Sequence, residues 1–158
     1  MTAVTEPLAA RQLAIALLRR KLIVVTVRGI SMEPAYHDGD RVLVHCGWPL
    51  GLGQVVVVEQ PAPGDGWRSR PVSARGDAHG RQWLIKRVTA VPGDPVPRGQ
   101  VPALAHVPES HVPAGMAVLL GDNRGVSLDS QDLGYFPVDR LLGAVLRPVR
   151  GETLVPGR

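Results

Sequence analysis

Two side chains in this sequence could do covalent chemistry together. Ser31 lies in the run Val27–Val44, VRGISMEPAYHDGDRVLV, two residues after Gly29. A serine nucleophile needs an exposed hydroxyl and a backbone N–H aimed at the oxyanion that forms when it attacks a carbonyl. A nearby glycine lets a substrate approach, because no Cβ stands in its way. The hydroxyl also needs a base. Lys86 lies in the apolar run Gln82–Asp94, QWLIKRVTAVPGD. If that run is a strand, Leu84, Lys86 and Val88 share one face, and Ile85, Arg87 and Thr89 share the other. Desolvation among aliphatic neighbours lowers a lysine pKa from about 10.4 toward the range of roughly 7–8 in which an amine serves as a base. A serine with such a lysine needs no His-Asp pair. The only other lysine, Lys21, follows Arg19 and Arg20 at an expected helix end and is no candidate. Bland readings stand beside these. A serine in a Gly- and Pro-rich turn is commonly structural, and a strand lysine can carry its amine out to water along its apolar stem.

A third polar run, Gly121–Gly134 (GDNRGVSLDSQDLG), follows the apolar MAVLL. Asp122, Asn123 and Gly125 read as a turn, and Ser127, Asp129 and Ser130 cluster polar groups just beyond it. On composition alone this is equally a solvated loop whose side chains bond the local backbone.

Together the three runs resemble type I signal peptidases, the S26 family of serine endopeptidases with a Ser-Lys dyad. G-x-S-M-x-P followed by G-D is similar to the family's nucleophile box, which self-cleaving repressor-type proteases share in related form. K-R in an apolar strand followed by P-G-D is similar to its lysine box. The third run is similar to G-D-N-x-x-x-S-x-D-S-R-x-x-G, which repressor-type proteases lack. The resemblance spans roughly residues 23–147. It implies Ser31 as nucleophile and Lys86 as general base, with Ser127 hydrogen-bonded to Lys86. It also implies Asp122 paired with Arg87, and Asp129 and Ser130 as buttresses. Some members supply a hydroxyl two residues before the nucleophile. Here Gly29 stands in that place, so the oxyanion hole rests on the N–H groups of Ser31 and Gly29. Gln131 departs from the arginine of the family pattern, which leaves Asp129 without its expected partner.

The activity so implied is removal of an N-terminal signal or leader peptide from an exported precursor, after small residues of Ala-x-Ala type, through an acyl-enzyme. The precursor would bind as an extended strand, without cofactor or metal. The family works at the cell membrane with its catalytic domain on the outer face, in contact with lipid. The longest apolar run of the N-terminal segment, Leu13–Leu18, is too short to span a bilayer, so a soluble cytoplasmic form is the alternative. Two other functions compete. A self-cleaving regulator needs a DNA-binding domain, and no helix-turn-helix precedes Ser31. A catalytically dead homologue would only bind peptides.

The elements that must carry these groups are mostly strands. Glu6–Arg20 reads as a helix, with Pro7 in its first turn and basic residues at its end. Strands are expected at Leu22–Val27, Arg41–His45, Gln54–Glu59, Gln82–Val91, Met116–Leu120 and Leu141–Arg147, divided by turns rich in Gly, Pro and Asp. The fold class is therefore mostly β, a coiled sheet like that of signal peptidases and repressor proteases, with one short N-terminal helix. Residues 1–21 form that helix and a possible interfacial anchor. Residues 22–150 form the catalytic domain with an exposed loop insertion at 61–81, and 151–158 form a tail. Among 158 residues, 18 Gly and 15 Pro fit many turns, and the 44% of apolar residues must build the core with aromatics at only 4%. The net charge is +4, but the arginines are scattered rather than clustered with stacking aromatics, which argues against nucleic acid. Cys46 is the sole cysteine, so no intrachain disulfide forms. His37 and His45 flank it without metal-ligand spacing. No helix start or basic neighbour activates its thiol.

Overall fold

Runs of β-branched residues build this chain. The computed structural model describes residues 21–62, 66–67, 71–72 and 80–149; the helix expected over Glu6–Arg20 and the tail 151–158 lie outside them. Seven strands appear: β1 (Leu22–Thr26), β2 (Arg41–Cys46), β3 (Val55–Glu59), β4 (Trp83–Ala90), β5 (Met116–Leu120), β6 (Phe136–Pro137) and β7 (Leu141–Pro148). They form one sheet in the order β1-β2-β7-β3-β4-β5-β6, with every neighbouring pair antiparallel. The six expected strands are all present, with ends shifted by one residue at most. The two-residue β6 carries no period that a sequence could announce. No helix among the described residues is long and apolar enough to cross a membrane.

β3 explains how the sheet is filled. All five of its residues are buried. Val55 and Val57 pack with Val27, Met32, Val42, Val44 and Leu142 on one face. Val56 and Val58 pack with Val88, Ala117, Leu119 and Phe136 on the other. A strand covered on both faces loses the polar alternation of a half-exposed one. Burying each such valine contributes roughly 1.5 kcal/mol. A third cluster, Ala90, Val101, Leu104, Val112, Val118 and Leu120, fills the space under the loop between β4 and β5.

Register slips at Leu43/Val44, Val57/Val58 and Val88/Ala90 mark bulges that deepen the twist and curl the sheet. The curl matters for two strand edges. β1 ends the sheet on one side. β4 pairs with β3 along Trp83–Arg87 but meets β5 only from Arg87 onward, so no described strand pairs with the other side of Leu84–Lys86. Of the insertion at 61–81, Ala62 and Gly66 form an antiparallel bridge, and Trp67 packs edge-on against Phe136 with Arg140 over its ring. Glu59 beneath it accepts from Arg81 at 2.7 Å and Arg140 at 3.3 Å, so the buried carboxylate is paired.

Candidate active site

The turn after β1 sets the position of Ser31. Val27 is tied on both sides, its N–H to the Asp40 carbonyl at 2.7 Å and its carbonyl to the Gly39 N–H at 2.9 Å. Gly29 then takes φ +78°, a left-handed backbone that favours glycine. Its N–H donates to Asp38 Oδ1 at 2.7 Å. Met32, 1% exposed, anchors the far side of the turn in the core. The Ser31 carbonyl accepts from Asn123 N at 2.9 Å, and Asn123 Nδ2 reaches the Ile30 carbonyl at 3.2 Å. Gly121 lies so close that a Cβ on it would collide with the Ser127 hydroxyl and stand 2.7 Å from the Ser31 carbonyl oxygen. The loop after β5 therefore clamps the Ser31 turn through backbone contacts.

Lys86 comes from β4, opposite Val56, on the face that Leu84 and Val88 share. It is 1% exposed. Its Nζ lies 3.0 Å from Ser31 Oγ. Burial lowers the Lys86 pKa, and the negative charge of Asp129 opposes that shift in part. Desolvation dominates, so the environment favours the neutral amine. A neutral amine beside a hydroxyl can take its proton. This is the chemistry that Ser-Lys hydrolases require of the pair.

Asp129 is fully buried yet satisfied. Its Oδ2 accepts from Gly121 N at 2.8 Å and its Oδ1 from Gln131 N at 2.8 Å. Ser130 Oγ accepts from Leu119 N at 2.9 Å, fastening the end of β5 to the one-turn helix Ser130–Leu133. Arg87 points away from Lys86 and grips Asp122 with two bonds, at 2.8 and 2.7 Å, and the Gly53 carbonyl at 2.9 Å.

Beside Ser31 runs a groove of about 270 Å³ between Val25–Arg28 of the β1 side and Trp83–Ile85 of β4, with Val57 beneath. Among the described residues no strand pairs with Val25–Thr26 of β1 or with Leu84–Ile85 of β4 from the groove side. Since Val27 spends its N–H and carbonyl on the β2 side, alternation turns those of Thr26 and Arg28 outward into the groove. Val88 spends both on the β3 side, which likewise turns those of Ile85 into the groove. The groove is thus lined by the outward backbone donors and acceptors of Thr26, Arg28 and Ile85 over an aliphatic floor.

The family model for signal peptidase, peptidase S26, matches residues 4–102 and 97–149. This chain belongs to that family. It is a serine endopeptidase of the hydrolase class. It is 31% identical over 140 residues to signal peptidase IB of Staphylococcus aureus, which covers 76% of this chain and 73% of that relative. It is 29% identical over 162 residues to the probable signal peptidase I-1 of Synechocystis sp., covering 89% and 78%.

In this S26 peptidase the structure brings together Ser31 and Lys86, and Arg87 and Asp122, and sets Asp129 and Ser130 under the loop behind them. Two expected contacts take another form. The Ser127 hydroxyl is buried without a hydrogen-bond partner among the described residues, Lys86 included; the amine is turned to Ser31 and the serine is wedged against Gly121. The Gly29 N–H is taken by Asp38, which leaves the Ser31 N–H as the donor of the expected pair without an acceptor among the described residues. Asp129, expected to lack a partner because Gln131 replaces arginine, is held by the backbone N–H of that same Gln131. Sequence reasoning missed Asp38, Gly121 and Asn123 as supports of the nucleophile turn. Gly121 and Asn123 flank Asp122 in the third run, so their position was a signal; Asp38 gave none.

Proposed function

We propose that this peptidase removes N-terminal signal or leader peptides from precursors, with Ser31 as nucleophile and Lys86 as general base. The observation that carries the mechanism is the 3.0 Å approach of a buried, neutral-favouring amine to Ser31 Oγ. Lys86 Nζ takes the hydroxyl proton as Oγ attacks the scissile carbonyl. The oxyanion is met by the Ser31 N–H. The proton passes to the leaving amine, an acyl-enzyme forms, and Lys86 then activates the water that hydrolyses it. The precursor adds a strand between the β1 edge and the Leu84–Lys86 edge of β4. The aliphatic walls of Val25, Val27 and Ile85 favour small residues one and three positions before the cut, of Ala-x-Ala type.

The same reading sets the domain against a lipid surface on the outer face of the cell membrane. Val24 and Leu146 are 46% and 44% exposed, and Val24 shares its sheet face with Leu43 and the exposed Arg147. Apolar groups beside arginines suit an anionic interface.

Ser31→Ala and Lys86→Ala should each fold and each abolish cleavage of a peptide carrying Ala at both positions. Circular dichroism checks the fold, and mass spectrometry of the products checks the cut. Activity above a few per cent in either folded variant would refute the assignment.

A further inference from the structure

The proposed cleavage leaves one groove residue, Arg28, without a task, and any role for it in substrate choice rests on that cleavage. Arg28 lines the groove beside Ser31 and is exposed, with no ion pair or side-chain hydrogen bond among the described residues. Its place in the strand alternation sets what it can meet. Val27 is 2% exposed and turns into the core; Thr26 and Arg28 turn to the opposite, exposed face. Arg41, the register partner of Thr26, stands on that face and is also exposed. Of the acids next along the chain, Glu33 and Asp38, neither is ion-paired to Arg28 among the described residues, and Asp38 spends Oδ1 on the Gly29 N–H. Two arginines, Arg28 and Arg41, therefore stand on that exposed face at the rim of the groove.

A peptide strand laid on this edge keeps the same alternation, because side chains opposite one another across a strand pair share a face. Its residues one and three before the cut turn toward Val25 and Val27. The residue between them, two before the cut, emerges on the face of Arg28. We propose that Arg28 is a specificity-determining residue that selects substrates with an acidic side chain two positions before the cut.

Three peptides identical except for Glu, Gln or Lys at that position test this, assayed without lipid so that charge at a membrane cannot contribute. Glu should exceed Lys by about fivefold in kcat/KM at low salt, the scale of a partly exposed charge pair. High salt should shrink the ratio, since screening weakens exposed charges. Arg28→Glu should reverse the order. Binding of the same peptides to the Ser31→Ala protein, read by fluorescence anisotropy, should follow the same ranking. If the wild-type enzyme cleaves all three alike, or if Arg28→Glu keeps the wild-type order, the role of Arg28 is overturned while the cleavage reading stands. If it cleaves none of them, the cleavage reading itself falls.

Discussion

A lysine sealed beside aliphatic side chains works against the stability of its own fold. The Lys86 pKa is lowered in the folded chain by burial, while the unfolded chain offers the ordinary value of about 10.4. Between the two values the unfolded state binds the extra proton. Stability contributed by this group is present above the unfolded value and is lost as pH falls through the folded one. Lys86→Met keeps the length and apolar stem and removes the conflict. Asp129 does not depend on the amine, since two backbone N–H groups hold its oxygens. The variant should lose turnover and gain about 2–4 °C in Tm at neutral pH, the effect of roughly 1 kcal/mol in a chain of this size. Scanning calorimetry checks it, and a lower Tm would contradict the view that the amine is held at a cost. At this scale the sequence was informative where residue type alone decides. A lysine in QWLIKRV is crowded whatever its rotamer. The bonds of Ser127 and Gly29 depended on competition. Asp38, nine positions from Gly29, takes one N–H, and Gly121 crowds the serine that was expected to reach Lys86.

The element that holds the nucleophile is less the strand before it than the loop after β5. Asn123, Gly121 and Asp129 link that loop to the Ser31 turn and to itself. Gly121 is the tightest point. Gly121→Ala must push either the Ser127 side chain or the Ser31 carbonyl, and the carbonyl belongs to backbone that cannot yield cheaply. Overpacking of this kind costs about 1–3 kcal/mol. The variant should unfold at lower denaturant and lose most of its turnover, because the hydroxyl shifts relative to Lys86. Wild-type stability together with full turnover would show that the clamp is unnecessary. The strands themselves could be read from the chain because Val, Ile and Leu runs such as LIVVT and VVVV alternate with Gly-Pro turns. β6 was hidden, since Phe136 and Pro137 pair with Met116 and Ala117 only through tertiary placement. The bulge at Val88/Ala90 was hidden for the same reason.

Across the whole molecule, the groove depends on strand order. β1 and β4 are separated in the sheet by β2, β7 and β3, yet the curl brings both to line one groove beside Ser31. No local pattern encodes this. It arises from the antiparallel return of β7 between β2 and β3 and from the three register slips. The same arrangement gives Ser31 and Lys86, from distant parts of the chain, one shared site. The chain's lysine count permits a direct test of that site. Its two lysines are the exposed Lys21 and the buried Lys86, so a carbon-13 lysine label gives two side-chain signals. The account predicts that the second, from Lys86, titrates below the ordinary lysine value of about 10.4. The second signal should vanish in Lys86→Met, and its midpoint should match the limb on which kcat/KM rises with pH. A Lys86 signal that titrates at the ordinary value, in an enzyme that is active at neutral pH, would contradict Lys86 as the base.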